Sequence, residues 1–96
     1  MEKLTYDFEG ERATKNRAHV GAVASGDLEI LAEPRPGGGS TVRITTSVDG
    51  FGQIWRSVLE QFFSRTNLAV DIEINDSGAT PGTVALRLSQ LEELLT

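Results

Sequence analysis

Few side chains in this 96-residue chain could do chemistry, and they fall in a handful of places. Ser25-Gly26-Asp27 puts a hydroxyl, a conformationally free glycine and a carboxylate in one run. A serine hydroxyl becomes a nucleophile when a base activates it, and it becomes an attachment point when another enzyme modifies it. His19 is the single histidine, so Ser25, His19 and Asp27 supply the residue types of a triad. A triad is a matter of geometry, and closeness in sequence gives it no support. One histidine with no cysteine also offers no metal-ligand set of the usual kind. Asp71 and Glu73 share a side of a predicted strand, and paired carboxylates do acid–base work only when burial separates their pKa values. An exposed strand face explains them better. Gly37-Gly38-Gly39 lacks the Lys-Ser/Thr and the following helix that a phosphate-cradling loop requires, which leaves it a flexible connection. Independent catalysis is therefore not the expectation.

The elements that must position Ser25 are legible from periodicity. Two apolar-rich runs, Arg17 to Ala24 and Asp27 to Glu33, flank the Ser-Gly-Asp, which predicts a β-hairpin with Ser25 at its exposed tip. Gly26 can take a positive φ there, and Ser25 and Asp27 can bond local backbone. Leu4, Tyr6 and Phe8 alternate as a strand that ends at Gly10, and Glu11 to Asn16 is polar and patternless, a loop. Pro34 to Ser40 is a break, followed by a strand from about Thr41 to Ser47. Phe51, Ile54, Trp55, Val58, Leu59, Phe62 and Phe63 recur at helical spacing, with Asp49 as N-cap, and their four aromatics are assigned to packing against the sheet. Leu68, Val70, Ile72 and Ile74 alternate as a further strand. After a turn at Asn75 to Gly78, Thr80-Pro81 opens a last helix carrying Val84, Leu88, Leu91 and Leu95. The fold class is α+β: a mainly antiparallel sheet of about five strands with two helices packed on one face.

Length and composition fit one domain, residues 1–96, with a modest core. A formal charge of −5 argues against nucleic acid, whose phosphates demand a clustered basic surface, and suits docking on basic patches of larger partners. No apolar run approaches the ~18 residues of a membrane span, and Met1 to Phe8 does not have the pattern of a signal peptide. The expected compartment is the cytosol. With no cysteine, any acyl thioester would need sulfur from a prosthetic group.

Ala24-Ser25-Gly26-Asp27-Leu28-Glu29-Ile30-Leu31-Ala32-Glu33-Pro34 resembles the modification-site segment of the acyl carrier (delta) subunits of bacterial malonate decarboxylases. Thr45-Thr46-Ser47-Val48-Asp49-Gly50, the single Trp55 and Asp76-Ser77-Gly78-Ala79-Thr80-Pro81-Gly82 extend the likeness, in order, from about Arg17 to the end. A more distant resemblance runs to the carrier subunit of citrate lyase. In both families a serine carries a phosphodiester-linked 2′-(5″-phosphoribosyl)-3′-dephospho-coenzyme A, and the position that matches here is Ser25, flanked by Gly26 and Asp27. The resemblance implies a single, non-catalytic acyl carrier domain. Ser77 is a decoy: fatty-acid-type carriers modify Asp-Ser-Leu in a four-helix bundle, whereas Gly78 follows Ser77 and the predicted fold is no bundle.

The implied partners are an acetyl/malonyl-transferase subunit, a two-part decarboxylase and a prosthetic-group transferase, with no nucleic acid and no membrane. An acetyl thioester would exchange with malonate, and decarboxylation of the malonyl thioester would regenerate it. The thioester carbonyl delocalises the carbanion that loss of CO₂ leaves behind, which a free carboxylate does poorly. Two alternatives stand beside this reading: a carrier for another complex such as citrate lyase, and an unmodified interaction subunit whose Ser25 is only a turn.

Overall fold

The computed structural model describes all 96 residues. In chain order they form β1 (Glu2–Phe8), β2 (Arg12–Ala13), β3 (Ala18–Gly21), β4 (Leu28–Pro34), β5 (Ser40–Thr46), α1 (Gly52–Thr66), β6 (Leu68–Asp76) and α2 (Pro81–Leu95). The sheet order is β1-β5-β6-β4-β3, with β2 paired to β6 off that path. The expected α+β class with two helices holds, and the fold is no helical bundle. β1–β5, β3–β4 and β4–β6 are antiparallel.

Two features of the sheet depart from the sequence reading. β5 and β6 run parallel, because α1 carries the chain from the end of one back to the start of the other. A sixth, two-residue strand, β2, lies within the segment read as a loop, Glu11 to Asn16. Close approach makes it pair: a Cβ on Gly10 would lie 2.0 Å from the Leu68 carbonyl oxygen, and the Glu11 and Arg12 N–H groups donate to the Asn67 carbonyl at 3.0 and 2.8 Å.

Alternation along each strand decides which face is covered. Leu28, Ile30 and Ala32 of β4, Val42 and Ile44 of β5, and Ile72 and Ile74 of β6 are buried beneath the helices, whose contribution is Trp55, Leu59, Phe62 and Phe63 from α1 and Val84, Leu88, Leu91 and Leu95 from α2. Phe63 stacks on Phe8 with ring centroids 4.8 Å apart, and Phe62 meets Phe63 edge-on at 5.1 Å. Only three of the helix's four aromatics pack in this way. Phe51 stands before the first turn and is 44% exposed. It also occupies the N-cap expected of Asp49, without a side-chain cap, while Asp49 instead pairs with the Met1 ammonium at 3.4 Å. At α2 the expectation holds: the Thr80 hydroxyl accepts from the Thr83 N–H at 3.2 Å, and Pro81 takes the first turn.

The registers bring four segments to one end of the sheet. Glu2 faces Thr46, Thr46 faces Asp76, and Asp76 faces Leu28, so the N-terminus, the β3–β4 connection, the β5–α1 connection and the β6–α2 connection adjoin one another. Both helices start there, and Ser25 lies in the second of these segments.

Candidate functional site

Ser25 is exposed on a connection wider than the tight hairpin turn the sequence implies. The strand expected to reach Ala24 stops at Gly21, whose φ is +75° and where a Cβ would lie 1.9 Å from the Leu28 carbonyl oxygen. The Ala22 N–H donates to that carbonyl at 3.1 Å and closes the neck of the loop. Val23 and Ala24 continue the apolar run in sequence but lie in solvent. Within the loop, the Asp27 N–H donates to the Ala24 carbonyl at 2.9 Å, and Gly26 has φ +77°, the signature of a type II turn with Ser25 at its second position.

That turn is clamped to the segment after β6. The Gly26 N–H donates to the Ser77 carbonyl at 2.8 Å, and the Ser77 N–H donates to the Asp27 carbonyl at 2.9 Å. Side chains add a second clamp, since Arg87 of α2 donates to Asp27 through Nη2 at 2.6 Å and through Nε at 3.1 Å. Its Nη1 is held by Gln90 Oε1 at 3.0 Å. The guanidinium hydrogen bonds and then the Leu28 N–H hold the Asp27 carboxyl below its ordinary range, and the same carboxylate pushes Arg87 upward. Nothing in the sequence links Arg87 or Ser77 to Ser25. They lie some 60 and 50 positions away in sequence, and no local pattern ties them to it.

The remaining candidates go elsewhere. His19 bonds Glu29 Oε2 at 3.1 Å while Asp27 is held by Arg87, so Ser25, His19 and Asp27 are not assembled as a triad. Asp71 is half-buried beside Arg35 at 3.6 Å, and Glu73 is exposed, both on the face away from the helices. Gly37, Gly38 and Gly39 all have positive φ in the β4–β5 turn, at the end opposite Ser25. The Asp76 carboxylate is buried and serves the turn into α2, accepting from the Thr46 hydroxyl at 2.8 Å, the Ala79 N–H at 3.0 Å and the Gly78 N–H at 3.2 Å. Beside this turn, between the first turns of α1 and α2, lies a groove of about 230 Å³ walled by Val48, Phe51, Ile54, Trp55, Ala79 and Val84. No helix is long and apolar enough to cross a membrane.

Known proteins match this arrangement along its whole length. The family model for malonate decarboxylase delta subunit (MdcD) matches residues 15–93. The malonate decarboxylase acyl carrier protein of Azotobacter vinelandii is 45% identical over 96 residues, covering 98% of this chain and 97% of the relative. The protein of the same name from Stenotrophomonas maltophilia is 49% identical over 100 residues, covering 99% and 94%. The chain belongs to the malonate decarboxylase delta subunit family. A chain from the crystal structure of a Pseudomonas malonate decarboxylase hetero-tetramer in complex with malonate shares the fold, with a TM-score of 0.94, 42% identity and 100% coverage of both chains.

For a delta subunit, the surroundings of Ser25 can be weighed against the bulky anionic group that the resemblance implies. Ser25 is exposed and a Cβ built on Gly26 meets nothing within 4 Å, so the turn is open at both residues. The negative charge of Asp27, which would repel a neighbouring phosphodiester, is offset by Arg87. The residues fit such a group.

Proposed function

We propose that this chain is the acyl carrier subunit of a malonate decarboxylase complex, carrying acetyl and malonyl groups on a 2′-(5″-phosphoribosyl)-3′-dephospho-coenzyme A joined to Ser25 through a phosphodiester. One observation carries the reading: the one serine of the Ser-Gly-Asp turn is exposed, while the residues after it are clamped to the body of the domain. Ser25 is reachable by a prosthetic-group transferase without unfolding. The turn is open at Ser25 and Gly26, and the Asp27–Arg87 pair gives the anchor a fixed direction. When bound, the group supplies the thiol that this cysteine-free chain lacks. Reducing conditions in the cytosol would keep that thiol free.

The partners in this reading are an acetyl/malonyl-transferase subunit and a two-part decarboxylase, and the chain's own side chains take no part in bond making during turnover. Tethering raises the local concentration of the cargo at each partner's active site. An excess of five negative charges suits docking on basic patches.

The test is the intact mass of the chain from a host that makes the modifying enzyme, followed by tryptic mapping. Trypsin releases Ala18 to Arg43, holding Ser25, separately from Thr66 to Arg87, holding Ser77. The expected result is the phosphoribosyl-dephospho-coenzyme A adduct on the first peptide. A phosphopantetheine mass on the second, or an unmodified chain, overturns the proposal.

A further inference from the structure

Resting on the carrier reading, we infer that the groove between the first turns of α1 and α2 is a docking site for the tip of the prosthetic arm, and that it takes the arm when the cargo is uncharged. Position is the first argument. From Ser25 the path runs through Gly26 and its 2.8 Å hydrogen bond to the Ser77 carbonyl, then to Gly78 on the groove wall. With Cα steps of ~3.8 Å, root and groove are separated by roughly 10 Å, well inside the reach of a coenzyme A-type arm.

Size and lining narrow the occupant. A groove of about 230 Å³ is smaller than the sites that take whole drug-sized ligands, so it admits the arm's thioester end and not its nucleotide. Val48, Phe51, Ile54, Trp55 and Val84 offer apolar walls to the two-carbon linker, the sulfur and a methyl group. Phe51 and Ile54 are 44% and 43% exposed at the rim, an apolar surface that a covering ligand would remove from water. Both helices begin at this rim.

Charge sets the selectivity. At the floor, the Asp76 carboxylate and the Thr46 hydroxyl already satisfy each other at 2.8 Å. No lysine or arginine lines the groove. A malonyl carboxylate would lose its hydration there beside a second carboxylate, with no cation to compensate. An acetyl group has no such cost. The acetyl-loaded arm docks, and the malonyl-loaded arm stays in solvent.

The experiment uses the full chain loaded by its prosthetic-group transferase, with loading at Ser25 verified by intact mass and peptide mapping, and compares it with the bare chain by amide NMR. Trp55 is the only tryptophan, so its indole N–H is a single resolved reporter inside the groove. The expected result is that acetyl loading shifts the Trp55 indole, Ala79 and Val84 signals, and that malonyl loading returns them to their bare positions. Ile54→Glu at the rim should abolish these shifts while the mass still shows loading. Shifts confined to residues 22–28 and 76–78 of a verified loaded chain overturn the groove assignment and leave the carrier reading intact. Groove shifts that appear only when the other subunits are added also overturn it, in favour of a protein interface. A chain that cannot be loaded at Ser25 overturns the carrier reading, and the groove assignment with it.

Discussion

Arg87 grips the carboxylate of Asp27 with two nitrogens, Nη2 at 2.6 Å and Nε at 3.1 Å, although the two residues lie 60 positions apart in sequence. The pair ties the turn that presents Ser25 to the second turn of α2. A planar fork on a carboxylate fixes direction as well as distance, which a lysine cannot do. Arg87→Ala should therefore free the loop without unfolding the domain. Amide exchange at Gly26 and Ser77 is expected to rise by roughly tenfold, while Ile72 and Ile74 in the central strand stay protected. Arg87→Lys should recover only part of the protection. Equal exchange in all three proteins would show that the backbone bonds alone hold the loop.

The same pair predicts an acid limb. Arg87 and the Leu28 N–H hold the Asp27 carboxyl below its ordinary value of 3.8 in the folded chain. A depressed folded pKa contributes stability that is complete above the unfolded pKa and is lost as pH falls through the folded one. The loop should stay clamped at neutral pH and loosen below about pH 4, the unfolded aspartate range. In Asp27→Asn, Gly26 exchange should be faster at neutral pH and nearly flat across that interval. A wild-type profile that is equally flat would remove the pair from the account.

Ser25→Ala separates anchoring from folding. An exposed turn side chain contributes little to stability, under about 0.5 kcal/mol, so the melting transition should move by no more than a few degrees. Malonate decarboxylation by the reconstituted complex should be abolished with the fold intact. Residual turnover by the variant would count against Ser25 as the attachment point.

Asp76 should behave in the opposite way. It is buried and accepts from one hydroxyl and two backbone N–H groups. Asp76→Ala leaves those donors unpaired, a cost of about 1–3 kcal/mol for a buried unsatisfied group. The denaturation midpoint should fall accordingly, and the Gly26–Ser77 bond next to it should open more often. A midpoint equal to that of the parent would show that water takes over all three donors.

Two glycines with nearly equal φ give a contrast in space. Gly26, at +77°, has nothing within 4 Å of a built Cβ, whereas Gly21, at +75°, would bring that atom within 1.9 Å of the Leu28 carbonyl. Gly26→Ala should cost only the left-handed backbone penalty, about 1–2 kcal/mol. Gly21→Ala adds a backbone clash and should cost visibly more, read from their unfolding midpoints. Equal losses would mean that the neck of the loop yields freely.

Local pattern reveals what is local. The alternation of β4 and the helical stripe of α2 were legible because each strand or helix buries one face, and Thr80-Pro81 marked a helix start by its own capping chemistry. Turn chemistry alone makes Ser25 an ordinary turn residue, and the resemblance is what singles it out. What could not be read is what depends on distant partners. β2 has no periodicity of its own and exists because Gly10 lets the chain approach Leu68. The parallel β5–β6 pair follows from the path of α1 and not from either strand's residues. Phe51 obeys the helical spacing yet stands one residue before the helix, and it and Ile54 of the same stripe lie in part exposed. Arg87 reads as a polar residue on an amphipathic helix until the fold sets it against Asp27.

The gathering of both helix starts and the N-terminus at the end of the sheet that carries Ser25 also decides how the molecule can be handled. Met1 sits there, held near Asp49, so an affinity tag or fluorophore grafted onto it would lie at the same end of the sheet as Ser25. Thr96 lies beyond the far end of α2, whose 15 residues span about 22 Å at 1.5 Å per residue. A label or a surface linkage placed at Thr96 leaves the end that carries Ser25 pointing away from the support.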